Sequence, residues 1–157
     1  VLSMIAEEGI RTMASGLPSV CDGSAGDDAR SEALYGAFMC GLALSTATMG
    51  IHHKLCHVVG GTFQLPHAET HTVILPHATH YNRDAAPEAM QAIARALGAE
   101  TAAGGIFDLA KTVGATTALK DLGLDEKNPL CFAPNPSLNR IANLFRMNTP
   151  IHTAQAD

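Results

Sequence analysis

Apolar residues recur at three- and four-residue intervals along much of this chain, and this spacing narrows the available folds more than any other feature. The spacing is clearest at the start, where the repeating positions are Leu2, Ile5, Ala6, Gly9, Ile10 and Met13. Strict alternation of apolar and polar residues, which marks a half-buried strand, never extends beyond three or four residues. Only 4% of the residues are aromatic and none is Trp, which favours close helix packing over a β-sandwich. The sequence therefore predicts an all-α fold.

Glycine, proline and acidic residues divide the first part of the chain into predicted helices. The first helix is expected to end near Gly16-Leu17-Pro18. Asp27 or Asp28 can cap the second helix. From Phe38 onward the second helix carries almost no charge, so we expect it to be a central helix that is buried on nearly every side.

The middle of the chain predicts two more helices. A short one begins after Gly50 and is expected to stop at Gly60-Gly61, because glycine readily adopts the left-handed conformation that ends helices. Pro66 is well placed as the first residue of the next helix, which runs to Tyr81. Pro76 lies inside that helix and should kink it by removing a backbone donor.

The remaining pattern completes one predicted domain. Helices are expected from Pro87 to Gly98 and from Thr101 to Val113, and Ser137 can cap a last helix. The chain contains neither an internal repeat nor a linker rich in Gly, Ser or Pro. We therefore predict a single helical domain over residues 1–147, followed by a loose tail at 148–157.

Composition excludes several classes of protein. A net charge of −5 without a cluster of Lys or Arg argues against a nucleic-acid partner. No stretch approaches the roughly 20 apolar residues that a membrane helix requires. The segment Val1 to Leu17 contains Glu7, Glu8 and Arg11, which the apolar core of a signal peptide would exclude. Four widely spaced cysteines without a CxxC motif indicate reduced thiols. We expect a cytoplasmic protein that acts on a small molecule.

Histidines are concentrated in the middle of the chain, and seven of the eight fall between His52 and His80. Residues four apart share a helix face, which pairs His53 with His57 and His67 with His71. Each histidine alone could be a hydrogen-bonded structural residue, but desolvating several imidazoles together is costly unless charge, water or metal uses them. The candidate catalytic residues are His53, His57 and His67, with His52, His71 and Tyr81 as secondary candidates.

The histidine-rich run GIHHKLCHVVGGTFQLPHAETHTVILPHATHYN, from Gly50 to Asn82, closely resembles a family signature. It is similar to the maleylacetate reductases, a branch of the iron-containing alcohol dehydrogenase superfamily. The motifs HHKLCH, LPHAETH and LPH-x-x-x-YN occur together and in order, and PEAMQAIARALG and PNPSLNRIANLF resemble later helices of the family. The resemblance covers most of the chain and implies a helical bundle like the C-terminal domain of iron-containing alcohol dehydrogenases.

The same resemblance implies roles for individual histidines. Residues matching His53 and His67 are metal ligands in the metal-dependent members, and the residue matching His57 lies beside the nicotinamide and the substrate. An upstream aspartate and histidine of the family pattern, and the α/β domain that holds NAD(P)H, have no counterpart in this sequence. A helix of the family also appears to be deleted between Asp121-Leu122-Gly123-Leu124 and Asn128-Pro129.

These departures lead to three hypotheses about function. The first is a stand-alone, cofactor-independent enzyme in which the histidines provide acid/base or hydrogen-bond catalysis of isomerisation or cyclisation of an enone- or carbonyl-bearing substrate. The alternative is the C-terminal part of an NAD(P)H-dependent maleylacetate reductase of aromatic degradation, with iron or zinc as the metal. A third hypothesis is a non-catalytic ligand-binding or assembly module. In the first and third cases, apolar surface left uncovered would favour a homodimer. The internal deletion leads us to expect the first, with no cofactor for this chain alone.

Overall fold

A computed structural model describes residues 1–124 and shows a helical protein. No strand occurs among these residues, so the predicted all-α fold is confirmed. The elements are α1 (Leu2–Asp22), α2 (Asp27–Thr46), α3 (Ile51–Phe63), α4 (His67–Tyr81), α5 (Pro87–Leu97), α6 (Ala102–Thr112) and a 3-10 helix η1 (Leu119–Leu122). The sequence pattern did not predict η1.

Four helices begin at or next to the residues that the sequence indicated. Helix α2 begins at Asp27, but Gly26 is its N-cap and neither Asp27 nor Asp28 caps it through a side chain. Helix α4 begins at His67, so Pro66 precedes the helix and is not its first residue as predicted. Helix α5 begins at Pro87 and ends at Leu97, and the following Gly98 adopts the left-handed conformation with a φ of 61°. The Thr101 side chain caps α6 by accepting a hydrogen bond from the backbone N–H of Gly104, at 3.1 Å. The predicted capping residues therefore act at the end of α5 and at the start of α6.

The predicted end of α1 is wrong, because the helix continues through Gly16 and Pro18 to Asp22. Gly16 does not cap α1, and instead it allows α1 and α2 to pack closely. A Cβ at this position would lie 2.9 Å from the backbone nitrogen of Ala33 on α2, so only glycine permits such a close approach. The left-handed residue that ends α1 is Gly23, with a φ of 80°.

The predicted end of α3 at Gly60-Gly61 is also wrong, because the helix continues to Phe63. Gln64 takes the left-handed conformation instead, with a φ of 54°. The carbonyl oxygen of Gly60 accepts the N–H of Leu65 at 3.0 Å, which closes the chain over the last turn. This tight turn leads directly into α4 and places the two histidine-bearing helices next to each other.

Helix α2 is not the buried central helix that its low charge predicted. Within residues 1–124 it packs mainly against α1, and only Gly36 is buried. The side chain of Phe38 is 65% exposed, and Leu34 and Leu42 are exposed as well. No single helix in this part of the chain is long and apolar enough to cross a membrane, and α2 with α3 meets the length and composition criteria only as a pair bent by 97°.

The core under the histidines is built mainly from α3, α4 and η1. Its buried members are Leu55, Cys56, Val59, Val73, Ile74, Ala78 and Leu119. Helix α6 packs on α4, and α5 links α6 to α1. The expected helix from Ser137, the domain end at 147, the tail at 148–157 and the far side of the expected deletion lie outside the described residues.

Candidate active site formed by five histidines

Five imidazoles from two adjacent helices meet at one place. Helix α3 contributes His52, His53 and His57, and α4 contributes His67 and His71. His71 lies at the centre. Its ring centroid is 4.3 Å from that of His67, 4.9 Å from His53, 5.0 Å from His52 and 6.4 Å from His57. The structure therefore shows the predicted convergence of both histidine pairs.

The cluster is half-buried on one side and open on the other. His52, His53 and His71 are partly buried, while His57 and His67 are exposed. The exposed pair is stacked, with ring centroids 6.0 Å apart. A ligand that approaches from solvent would meet His57 and His67 first and the other three rings behind them.

Two polar contacts involve the ring of His52. The Nε2 atom of His52 lies 3.1 Å from the backbone carbonyl oxygen of His71, and it lies 3.4 Å from the Sγ atom of Cys56. Because a carbonyl oxygen only accepts hydrogen bonds, Nε2 of His52 must carry the proton. The Nε2 atom of His71 is buried and has no hydrogen-bond partner among the described residues.

Burial lowers the pKa of two of the inner imidazoles, His71 and His52. The pKa of His71 is lowered to about 4, first by desolvation and then by the positive charges that His52, His67, His53 and His57 would carry. Desolvation also lowers the pKa of His52, and the neighbouring His53 adds to the effect. A neutral imidazole offers one N–H donor and one lone pair, which suits both hydrogen bonding and metal binding.

Two further residues, Tyr81 and Cys56, are not part of the five-histidine cluster. Tyr81 packs against the core at the far end of α4. It comes ten residues after His71, which corresponds to about 15 Å along the helix axis. Cys56 is buried, and desolvation raises the pKa of its thiol to about 11. The thiol is therefore protonated at neutral pH, and Cys56 packs as a member of the core.

A cavity of about 880 Å³, which none of the five clustered histidines lines, was not anticipated from the sequence. It lies between α1, α4, α5 and α6, and its polar lining includes His80, Arg83, Gln91 and Asp108. Arg83 donates to the carbonyl oxygen of His80 at 3.1 Å. These side chains come from elements that are distant in sequence, so residue spacing carried no signal for this cavity.

The inner rings fit a metal ion. His52, His53 and His71 each offer one ring nitrogen, and the three nitrogens lie within 4.8 Å of one another. Imidazole nitrogen is a common ligand of iron and zinc. His53, one of the two family-equivalent ligands, belongs to this group, and His67, the other one, contacts His71.

The all-helical fold and the clustered imidazoles agree with the family resemblance of the histidine motifs, and the family comparison agrees as well. Residues 1–143 match the model of the Fe-containing alcohol dehydrogenase family, C-terminal, and the chain belongs to this family.

Within the family, the chain is similar to maleylacetate reductases. It is 52% identical to the enzyme of Burkholderia cepacia over 124 residues, which cover 79% of this chain and 35% of that protein. It is 46% identical to the enzyme of Pseudomonas sp. (strain P51) over 157 residues, which cover 93% of this chain and 45% of that protein. The crystal structure of maleylacetate reductase from Agrobacterium tumefaciens superposes with a TM-score of 0.82 at 38% identity, covering 92% of this chain and 44% of that one.

These comparisons confirm the resemblance that the histidine motifs carried, and they correct the function inferred from it. The hypothesis of a cofactor-independent isomerase or cyclase is wrong, because the similar proteins are reductases and the similarity to them extends over up to 93% of the chain. The chain also spans less than half the length of these relatives. The missing counterparts of the nucleotide domain and upstream ligands were therefore poor evidence for new chemistry.

Proposed function

We propose that this chain forms the C-terminal helical part of a cytoplasmic NAD(P)H-dependent maleylacetate reductase that acts in the degradation of aromatic compounds. The observation that carries the proposal is the convergence of five imidazoles, in a segment whose relatives are maleylacetate reductases. A small substrate with carbonyl and carboxylate oxygens would be held by several N–H donors at this place.

The nucleotide itself would be bound elsewhere in the enzyme. When bound, NAD(P)H supplies the hydride for the reduction. Residues 1–124 contain no strand, and so they contain no strand-turn-helix unit of the kind that binds dinucleotides. We therefore assign to this chain only the substrate-facing and metal-facing side of the site.

The histidines would have two roles, facing the substrate and holding a metal, and His67 belongs to both groups. His57 and His67 are exposed at the mouth of the cluster, where an imidazole N–H can donate to a substrate oxygen or deliver a proton. His53 and His67 are the family-equivalent metal ligands, and iron or zinc at this place would polarise a substrate oxygen. Tyr81 stays a secondary candidate, and its place at the far end of α4 argues for an indirect role.

The exposed side of α2 supports the view that this chain is one part of a larger enzyme. Leu34, Phe38 and Leu42 are spaced four residues apart, which places them on one face, and all three are exposed. Such a stripe of large apolar side chains marks an interface. We propose that the remainder of the reductase covers it. A homodimer through α2 is the alternative that a sedimentation experiment on the chain alone would reveal.

A chimeric enzyme tests the proposed function. This chain would replace the matching region of the Burkholderia cepacia reductase, and oxidation of NADH by maleylacetate would be followed by absorbance. We expect a maleylacetate-dependent rate that falls by about 10²–10⁴-fold in His57→Ala, the usual range for removing a proton-transfer group. The control variant His80→Ala, which lies outside the cluster, should keep the rate.

Two outcomes would contradict the proposal. One is a chimera that is folded by circular dichroism yet inactive, while the parent reductase is active under the same conditions. The other is an active chimera in which His57→Ala and His53→Ala have no effect, because the cluster would then take no part in the reaction.

A further inference from the structure

We propose that His52 is a positioning residue, which holds the imidazoles of α3 and α4 in register through its hydrogen bond to the backbone of His71. The proposal rests on the proposed function, because it gives His52 a part in that reaction. It leaves the family-equivalent roles of His53 and His67 unchanged.

His52 lies behind the rings that a substrate would meet first. Its ring contacts those of His53 and His71, with centroids 5.3 and 5.0 Å away. Among residues 1–124, no ring contact joins it to His57 or His67, the two exposed members of the cluster. We therefore expect its effect on the reaction to pass through the neighbouring rings.

The ring of His52 stands at right angles to both of its neighbours. The interplanar angle is 89° with His53 and 90° with His71. In such an edge-to-face pair, the edge of one ring rests against the face of the other. A change in the orientation of His52 would therefore displace a ring on α3 and a ring on α4 together.

One hydrogen bond holds the ring of His52 in this orientation. Its Nε2–H donates to the carbonyl oxygen of His71 at 3.1 Å. The Sγ atom of the buried Cys56 lies 3.4 Å from the same nitrogen. Because Nε2 is already engaged by protein atoms, it is not free to serve a substrate.

The accepting carbonyl belongs to the residue at the centre of the cluster. The ring centroid of His71 lies 4.9 Å from that of His53 and 4.3 Å from that of His67. The hydrogen bond ties the backbone of His71 to α3, so it limits how far α4 can shift relative to His53. Catalysis is sensitive to such shifts, since a displacement of about 1 Å can cost about 10²-fold in rate.

Two substitutions separate the hydrogen bond from the space that the side chain fills. His52→Gln keeps a side-chain N–H donor, whereas His52→Met has no donor. In the chimera, we expect His52→Met to lower kcat for maleylacetate by about 10- to 10²-fold, the scale of a displacement near 1 Å. KM should change less than kcat, because His52 does not face the substrate. His52→Gln should restore most of the rate.

Controls separate this effect from a general loss of structure. His80→Met makes the same change outside the cluster and should leave kcat unchanged. If His52→Met loses helicity in circular dichroism, His52→Leu, which also has no donor, would be measured in its place.

A second measurement does not depend on the reduction. In the 157-residue chain with isotopically labelled histidines, the chemical shifts of the ring nitrogens should show the proton of His52 on Nε2. Nuclear Overhauser contacts between the rings of His53 and His71 should persist in His52→Gln and weaken in His52→Met.

Several results would overturn the proposal. One is a proton on Nδ1 of His52 instead of Nε2, and another is a set of contacts between His53 and His71 that His52→Met leaves unchanged. In an active chimera, the proposal also fails if His52→Met keeps kcat, or if His52→Gln loses as much as His52→Met. An inactive chimera counts against the proposed function, and the spectra of the chain then decide whether His52 holds the rings in register.

Discussion

The Nε2 atom of His52 donates to the carbonyl oxygen of His71 at 3.1 Å, and this hydrogen bond joins a side chain of α3 to the backbone of α4. It has two effects at once. It fixes the ring of His52, and it positions the turn of α4 from which the ring of His71 projects into the cluster. The orientation of the inner imidazoles thus depends on how α3 packs against α4.

That packing should be sensitive to the core beneath the histidines. Ile74 is completely buried in the α3–α4 core, so Ile74→Ala should lower the free energy of unfolding by about 2–5 kcal/mol through lost burial and a residual cavity. The neighbouring Leu75 is 38% exposed and provides the matched control. Urea denaturation of both variants measures the difference, and an equal loss in Leu75→Ala would show that the core is placed wrongly.

The effect of replacing a glycine of α2 by alanine should depend on whether that glycine contacts α1. A Cβ at Gly36 would lie 2.6 Å from Oγ1 of Thr12 and 2.8 Å from the backbone nitrogen of Met13, so Gly36→Ala should cost about 1–3 kcal/mol through overpacking. Gly41, on the same helix, has nothing within 4 Å of its would-be Cβ. Gly41→Ala should stabilise by about 0.5–1 kcal/mol. Thermal unfolding of the two variants checks the opposite signs, and two changes of the same sign would refute the contact.

The glycines also show which features of the fold the sequence alone did not predict. Gly98 ends its helix as predicted, but Gly16, Gly60 and Gly61 do not. A glycine that permits close helix contact and a glycine that caps a helix are identical in one sequence, and only the neighbouring helix distinguishes them. The low charge of α2 was ambiguous for the same reason. It shows that the helix has apolar faces, but it does not show which part of the protein packs against them.

For the site, helical spacing predicted which histidines share a face, and α3 and α4 do bring both pairs together. Spacing could not show that His71, named as a secondary candidate, lies at the centre. That position depends on the turn at Gln64 and on the angle between α3 and α4, and the spacing of the histidines predicts neither. Function was misjudged because absent segments were given more weight than the residues that matched.

The buried Cys56 should react slowly. Its thiol is 1% exposed and its pKa is raised to about 11 by desolvation, whereas Cys21 is exposed. Because the thiolate is the reactive form, iodoacetamide should label Cys21 well before Cys56 in the folded protein at neutral pH. Peptide mass spectrometry at successive times measures both rates. If Cys21 and Cys56 were labelled at equal rates in the folded protein, as they should be in urea, this placement of Cys56 would be contradicted.

Acid should destabilise the fold through two half-buried histidines, His71 and His77. The pKa of His77 is lowered to about 4, mainly by burial and secondarily by His80. The unfolded chain therefore binds more protons between pH 6.5 and 4, so the free energy of unfolding falls as the pH drops through this window. His77→Gln should reduce that fall, while His71, whose pKa is lowered likewise, keeps part of it. The measurement is the midpoint of urea denaturation at pH values from 7.5 to 4. If His77→Gln and the unsubstituted chain show the same pH dependence, His77 is not buried as described.

The convergence of imidazoles from two helices is the central claim, and nuclear Overhauser contacts between histidine rings test it most directly. Selectively labelled histidines in the full chain should show ring-to-ring contacts from His71 on α4 to His52 and His53 on α3, whose centroids lie 5.0 and 4.9 Å away. If the ring protons of His71 contact only residues of its own helix, the two sets of imidazoles do not share a site. The proposed metal and substrate chemistry would then lack its structural basis.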